Sequence, residues 1–179
     1  MTSLPSEASQ IEIAVIDAFE FARGKQALSG SLAVSALTRL GDVLADTVGT
    51  LACTVSGEQD KDGKLFLRIG VSGELRLKCQ RCLEPLEYPI HISNRLQLVP
   101  PGASWPDDEL EDDGSDAIAA EREQALLPLI EDELLLFLPL SPRHAAKVCG
   151  LMGIAGVAGV ANDGRGMSPF SALVQIKKP

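Results

Sequence analysis

Aromatic side chains are scarce, at 4% of 179 residues, too few for a platform on which successive single-stranded bases stack. Long apolar runs are missing as well. No segment approaches the roughly 18 uninterrupted apolar residues that span a bilayer, and no opening stretch joins a basic end to an apolar run. The chain is therefore expected to be soluble and cytoplasmic, with no membrane contact. Basic residues are outnumbered, 16 Lys and Arg against 25 Asp and Glu, for a formal charge of −9. The distribution matters more than the sum. Between Asp107 and Glu133 stand 12 acids and one base, Arg122, leaving 13 acids against 15 bases elsewhere. The acidic total thus does not exclude a nucleic-acid surface on the remainder, while the acidic stretch can solvate a loop, repel phosphate or meet a basic protein. Catalytic signatures are equally thin. No Ser/His/Asp order, phosphate-cradling Gly-Lys loop or paired-carboxylate arrangement stands out, so an enzyme using a metal-activated water or a reactive thiol has the least support.

What is present suffices for one compact domain over residues 1–179, since 45% of residues are hydrophobic and two separate domains would each be small. Ile11, Ile13 and Val15 alternate with polar or small residues and predict a short strand, followed by a loop to Gly30. Ala33, Leu37, Leu40 and Leu44 recur at helical spacing after Ser31, a suitable N-cap, and predict a helix weakened by Gly41. Gly49 to Ser56 alternates and turns Cys53 inward. After hairpin chemistry at Glu58–Gly63, Leu65 to Cys79 alternates over its whole length, with Arg68, Ser72, Glu74, Arg76 and Lys78 on the wet side. Leu86 to Leu98 alternates again, with His91 on its wet side. Pro85 and Pro89 lack the N–H on one lateral side, which marks an edge. Residues 100–123 combine Pro, Gly and acids without periodicity and predict a mobile acidic loop. Ala125–Leu138 reads as a helix starting near Pro128, residues 150–167 as a Gly/Ala-rich connector, and Ser168-Pro169 as the start of a short final helix. The fold class that results is α+β: an antiparallel β-meander covered by helices, with an acidic loop and a short C-terminal helix.

The most informative motif is Lys78-Cys79-Gln80-Arg81-Cys82, two thiols three residues apart between two alternating segments. In a cytosolic chain such a pair is more often reduced, metal-bound or redox-active than a structural disulfide. A thioredoxin-like motif opens a helix, whereas these flanks read as strand. Zinc needs two further donors. Parity buries Cys53 and puts His91 on the opposite face, so His144 and Cys149, with four residues between them, form the remaining pair at ligand spacing. Cys79, Cys82, His144 and Cys149 would then tie the segment after the acidic helix to the cysteine turn. The alternative is a reduced, exposed dithiol that caps the turn.

Lys78-Cys79-Gln80-Arg81-Cys82, then Leu129-Ile130-Glu131-Asp132-Glu133-Leu134-Leu135 running into Leu138-Pro139-Leu140 and Pro142-Arg143-His144, then Ser168-Pro169-Phe170, together resemble the YceD family of large ribosomal RNA subunit accumulation proteins. The likeness covers most of the chain in the same order; the N-terminal third adds little. It implies a cytoplasmic, non-catalytic factor needed for 23S rRNA accumulation and large-subunit biogenesis. Some members carry a second close cysteine pair after the acidic helix, where this chain has Cys149 alone. Two modes of action stay open. In one, Arg68, Arg76, Lys78, Arg81 and Arg95 meet phosphates of precursor 23S rRNA. In the other, the acidic segment and the helix bearing Glu131, Asp132 and Glu133 engage a basic ribosomal protein of the large subunit, zinc serving to stabilise the module.

Overall fold

The structure is a computed structural model that describes residues 11–12, 14–105, 115–145 and 149. Its centre is a five-stranded sheet of β2 (Ala27–Ala33), β3 (Thr50–Gln59), β4 (Leu65–Lys78), β5 (Pro85–Val99) and β6 (Asp116–Ala119), in that spatial order. The first four strands form an antiparallel meander, and β6 joins β5 in parallel. A separate two-stranded ribbon pairs β1 (Val15–Ile16) with β7 (Gln124–Ala125). Among the described residues, two helices, α1 (Ala18–Arg23) and α2 (Leu126–Phe137), complete the regular structure with two 3-10 turns at Val34–Ala36 and Thr38–Leu40. The α+β class expected from the sequence is the one found.

Alternation decides which face is covered. Leu51, Cys53 and Val55 of β3, Leu67, Ile69, Val71, Leu75 and Leu77 of β4, and Ile90, Ile92 and Leu96 of β5 are buried on one side. Burial pushes the Cys53 thiol up to about 11, as suits a small core residue. Phe21 of α1, Val34, Leu37 and Leu40 of the turns, and Leu126, Ile130 and Leu134 of α2 join the same core. The other side carries Ser29, Thr54, Ser72, His91 and Ser93, all exposed. β4 turns into β5 at the cysteine motif, so that motif ends up at the rim of the sheet.

Several elements differ from expectation. The predicted helix over residues 31–44 is instead the end of β2 and the two 3-10 turns. Leu37, Leu40 and Leu44 are buried as the pattern required, but seven residues of ladder with β3 outweigh a helical propensity that Gly41 already weakens. The predicted loop between the first strand and Gly30 contains α1, whose N-cap Asp17 accepts hydrogen bonds from the N–H groups of Phe19 and Glu20 at 3.0 Å. α1 lies so close to β3 that a Cβ on Gly57 would stand 2.4 Å from the Phe21 carbonyl oxygen. Within the predicted acidic loop, residues 116–119 form β6 along Leu96–Val99, because Ala117-Ile118-Ala119 is an apolar run that an open strand edge can take up; residues 106–114 lie outside the described set. β6 stops at Leu96, so Pro85 and Pro89 fall on a stretch of β5 that no described strand pairs on that side. The expected final helix at Ser168 and the connector at 150–167 also lie outside the described residues.

Candidate metal centre

The Cys79–Glu84 turn is closed by its own backbone. Cys79 N–H donates to the Glu84 carbonyl at 3.0 Å, Leu83 N–H donates to the Cys79 carbonyl at 2.9 Å, and Leu83 takes a left-handed φ of 65°. That path aims the N–H groups of Arg81 and Cys82 at the Cys79 sulfur. The segment after α2 is pinned to the turn by Gln80 N–H, which donates to the Pro142 carbonyl at 2.8 Å. Pro139 and Pro142 forbid continuation of α2; beyond it His144 reaches Cys82, and Cys149, whose N–H donates to the Ala145 carbonyl at 3.3 Å, lies beside Cys79.

As a result the donor atoms of Cys79, Cys82, His144 and Cys149 all lie within 4.8 Å of one another. Cys79 Sγ and Cys149 Sγ are 3.9 Å apart, and Cys82 Sγ is 3.4 Å from His144 Nδ1. A zinc tetrahedron with ordinary Zn–S and Zn–N bonds has edges of about 3.8 Å between sulfurs and about 3.6 Å between sulfur and nitrogen. These two separations match those edges, and the others are at most 4.8 Å. His144 Nε2–H donates to the Pro85 carbonyl at 2.9 Å, which leaves Nδ1 of the neutral ring with its lone pair toward the thiols, the tautomer a metal ligand needs. Arg81 Nε donates to Cys149 Sγ at 2.9 Å, so a cation faces the donor farthest along the chain.

The electrostatics favour a thiolate at Cys79 and a protonated His144, whose Nδ1 proton a bound cation would displace. Burial pushes the Cys79 thiol up, but hydrogen bonds from the backbone N–H groups of Cys82, His144 and Arg81 and from the Cys82 thiol outweigh it and bring the group down to about 5. His144 is shifted upward by its hydrogen bonds to Cys79 and then Cys82, against the opposing effect of burial. Such a cluster can hold a soft or borderline divalent cation through three sulfurs and one imidazole. Four protein donors match the number that a tetrahedral structural zinc site uses.

The structure divides the basic residues expected to meet RNA. Arg68 and Arg95 are direct cross-strand neighbours and share Glu58, with N–O distances of 2.7 and 3.0 Å. Arg95 also stacks its guanidinium 3.5 Å above the Phe66 ring. Arg76 is paired with Asp46. Lys78 and Arg81 stand at the cysteine turn, near Arg143, which the sequence reading did not single out; Arg81 and Arg143 are exposed and Lys78 half-exposed. The acidic trio on α2 is also divided, and the expectation of a shared contact surface needs correcting. Glu131 and Glu133 are each only 3% exposed. Glu131 accepts from the Arg39 N–H at 2.9 Å, Glu133 from the Asn94 side chain at 2.5 Å, and Asp132 forms a 2.6 Å ion pair with Arg39. Sequence reasoning also missed Glu58 and the carbonyls of Pro85 and Pro142. Glu58 reads as part of the hairpin loop, whereas β3 runs on to Gln59; carrying the alternation past Ser56 could have revealed its meeting with Arg68, but backbone acceptors leave no mark in a sequence.

Among the described residues no helix is long and apolar enough to cross a membrane. A family model described as "Large ribosomal RNA subunit accumulation protein YceD" matches residues 67–177. A Haemophilus influenzae protein named large ribosomal RNA subunit accumulation protein YceD is 25% identical over 169 residues, which cover 91% of this chain and 94% of that protein. No solved structure matches. The family match starts in β4 and takes in the cysteine turn, α2 and all four donors, so the quartet lies wholly within it: the chain belongs to the YceD family.

Proposed function

We propose that this protein is a non-catalytic cytoplasmic factor in 23S rRNA accumulation and large-subunit assembly, and that zinc held by Cys79, Cys82, His144 and Cys149 fixes a basic turn that contacts precursor rRNA. The name of the Haemophilus influenzae relative supports the biological setting. The observation that carries the molecular reading is the convergence of three sulfurs and an oriented imidazole on one point at the rim of the sheet. Three thiolates and a neutral imidazole leave a Zn²⁺ site with one net negative charge, which Arg81 offsets beside Cys149. Lys78 and Arg143 then supply positive charge around a rigid turn. Arg68 and Arg95, both committed to Glu58, contribute less to phosphate attraction than Lys78 and Arg81.

The test has two parts. Metal analysis of the purified chain is expected to give one zinc per molecule, and Cys82→Ser to lose most of it. Binding to a transcribed 23S precursor fragment, measured across a salt series, is expected to weaken in the variant with Arg76, Lys78 and Arg81 changed to Glu, its salt slope falling by about 1 for each phosphate contact removed. Unchanged affinity and slope would eliminate RNA contact through the turn. A second reading is favoured by Leu83, 68% exposed in the turn itself, and by the fully exposed Leu140 just before Pro142, since large apolar side chains beside a structured turn suit a protein partner. Crosslinks in cells that reach ribosomal proteins of the large subunit, with none to precursor rRNA, would replace the first reading by this one.

A further inference from the structure

Among the described residues β2 is a lateral end of the sheet, and its sequence is Ala27-Leu28-Ser29-Gly30-Ser31-Leu32-Ala33, which reads identically in both directions. The flanking hydrogen bonds reveal which of its backbone groups face outward. Gly57 N–H donates to the Gln26 carbonyl and Val34 N–H to the Gly49 carbonyl, at 2.8 and 3.0 Å. In an antiparallel ladder the bonded residues alternate, so Leu28, Gly30 and Leu32 exchange bonds with β3. Ala27, Ser29, Ser31 and Ala33 direct their N–H and C=O groups away from the sheet. Ala33 bears this out, since its N–H donates to Glu12 Oε1 at 3.0 Å instead of to β3. Strand edges are commonly blunted by lysine, proline or a bulge. β2 has no charge and no proline, and its seven-residue register with β3 is unbroken.

We propose that β2 is a homodimer interface, in which two copies pair antiparallel about a twofold axis through Gly30 and join their sheets edge to edge. The axis sets Ser29 opposite the partner's Ser31, and both are outward-bonding residues, so the two pairs exchange four backbone hydrogen bonds. Glu12 already caps the Ala33 N–H, which confines the new ladder to the centre of the strand. On the covered face, Leu28 stands opposite the partner's Leu32 across a non-bonded position; Leu32 is already fully buried in its own chain, so half-buried Leu28 is the side chain with surface left to cover. The palindrome is what fits this partner: a twofold contact requires each half of the surface to complement the other, and a strand identical in both directions presents the same side chains to its copy at every paired position.

Light scattering of the full chain over a concentration series tests this directly. The mass is expected to rise from the 19.0 kDa of one chain toward twice that value. Ser31→Pro removes an outward N–H that takes no part in the ladder with β3, and the double variant Ser29→Lys/Ser31→Lys sets lysines opposite one another across the axis. Both variants are expected to stay at one-chain mass with wild-type far-UV circular dichroism. A wild type that stays at one-chain mass up to its solubility limit overturns the proposal, as does a dimer that survives the double lysine change, since the copies then join through another surface. If Ser31→Pro does not fold, the double lysine variant, which leaves every N–H in place, decides the matter.

Discussion

Glu133 shows how a single side chain can carry a pH dependence through the core. Burial shifts its carboxyl upward against the Asn94 hydrogen bond, and the nearby charges of Asp116 and Asp132 add to the rise. A group whose folded value lies above its unfolded value favours the fold most below the unfolded value, near 4.5, and that contribution is lost as pH rises through the folded value. Neutral pH therefore holds a buried charge at a cost. Glu133→Gln keeps an acceptor for Asn94 without the charge. The variant is expected to melt higher than the wild type at pH 7, by a few degrees, with the gain shrinking as the pH falls through the raised folded value and gone below about 4.5. Equal melting temperatures across that range would place Glu133 in contact with water. Glu58 illustrates the opposite shift: its carboxyl is held below the usual range by its hydrogen bond with Arg68 first, and by Arg95 as well, against a burial effect.

At the scale of elements, the contact between α1 and β3 depends on a missing side chain. A Cβ at position 57 would also stand 2.6 Å from Ala22 Cα, and backbone on both sides cannot yield as a flexible side chain would. Gly57→Ala is expected to destabilise the fold by about 1–3 kcal/mol, read as a lower urea midpoint at an unchanged m-value. An unchanged midpoint would mean that α1 is loosely docked. This contact was invisible in the sequence, because six residues are too few to display helical period and the cue, Asp17 with Glu20 three residues on, is short and common. β4 was legible for the converse reason: period two persists from Leu65 to Cys79, and no helix satisfies it. Residues 33–44 fall between these cases. Their apolar positions were read correctly as buried, yet i, i+4 spacing also describes a strand end followed by tight turns, and only pairing with β3 distinguishes the two. β6 was illegible because a parallel partner distant in sequence leaves no local signal. The convergence of Cys79, Cys82, His144 and Cys149 was readable by elimination, since parity set Cys53 in the core and His91 on the other face.

For the molecule as a whole, the quartet acts as a clasp between the β4–β5 turn and the segment that follows α2. Treating the purified protein with a strong chelator is expected to raise hydrogen exchange at 79–84 and 142–145, while the centres of β3, β4 and β5 keep their protection. Exchange unchanged by the chelator would mean that the Gln80–Pro142 hydrogen bond and local packing hold the clasp without metal. Cys79 and Cys149 stand 70 residues apart along the chain, and this separation bears on how the protein is made. At ordinary translation speeds the earlier thiols wait roughly 4–14 s for the last one to be synthesised. Until His144 is made the nascent chain offers only two of the four donors, so an ion bound by the whole quartet would mark the polypeptides whose synthesis has passed Cys149.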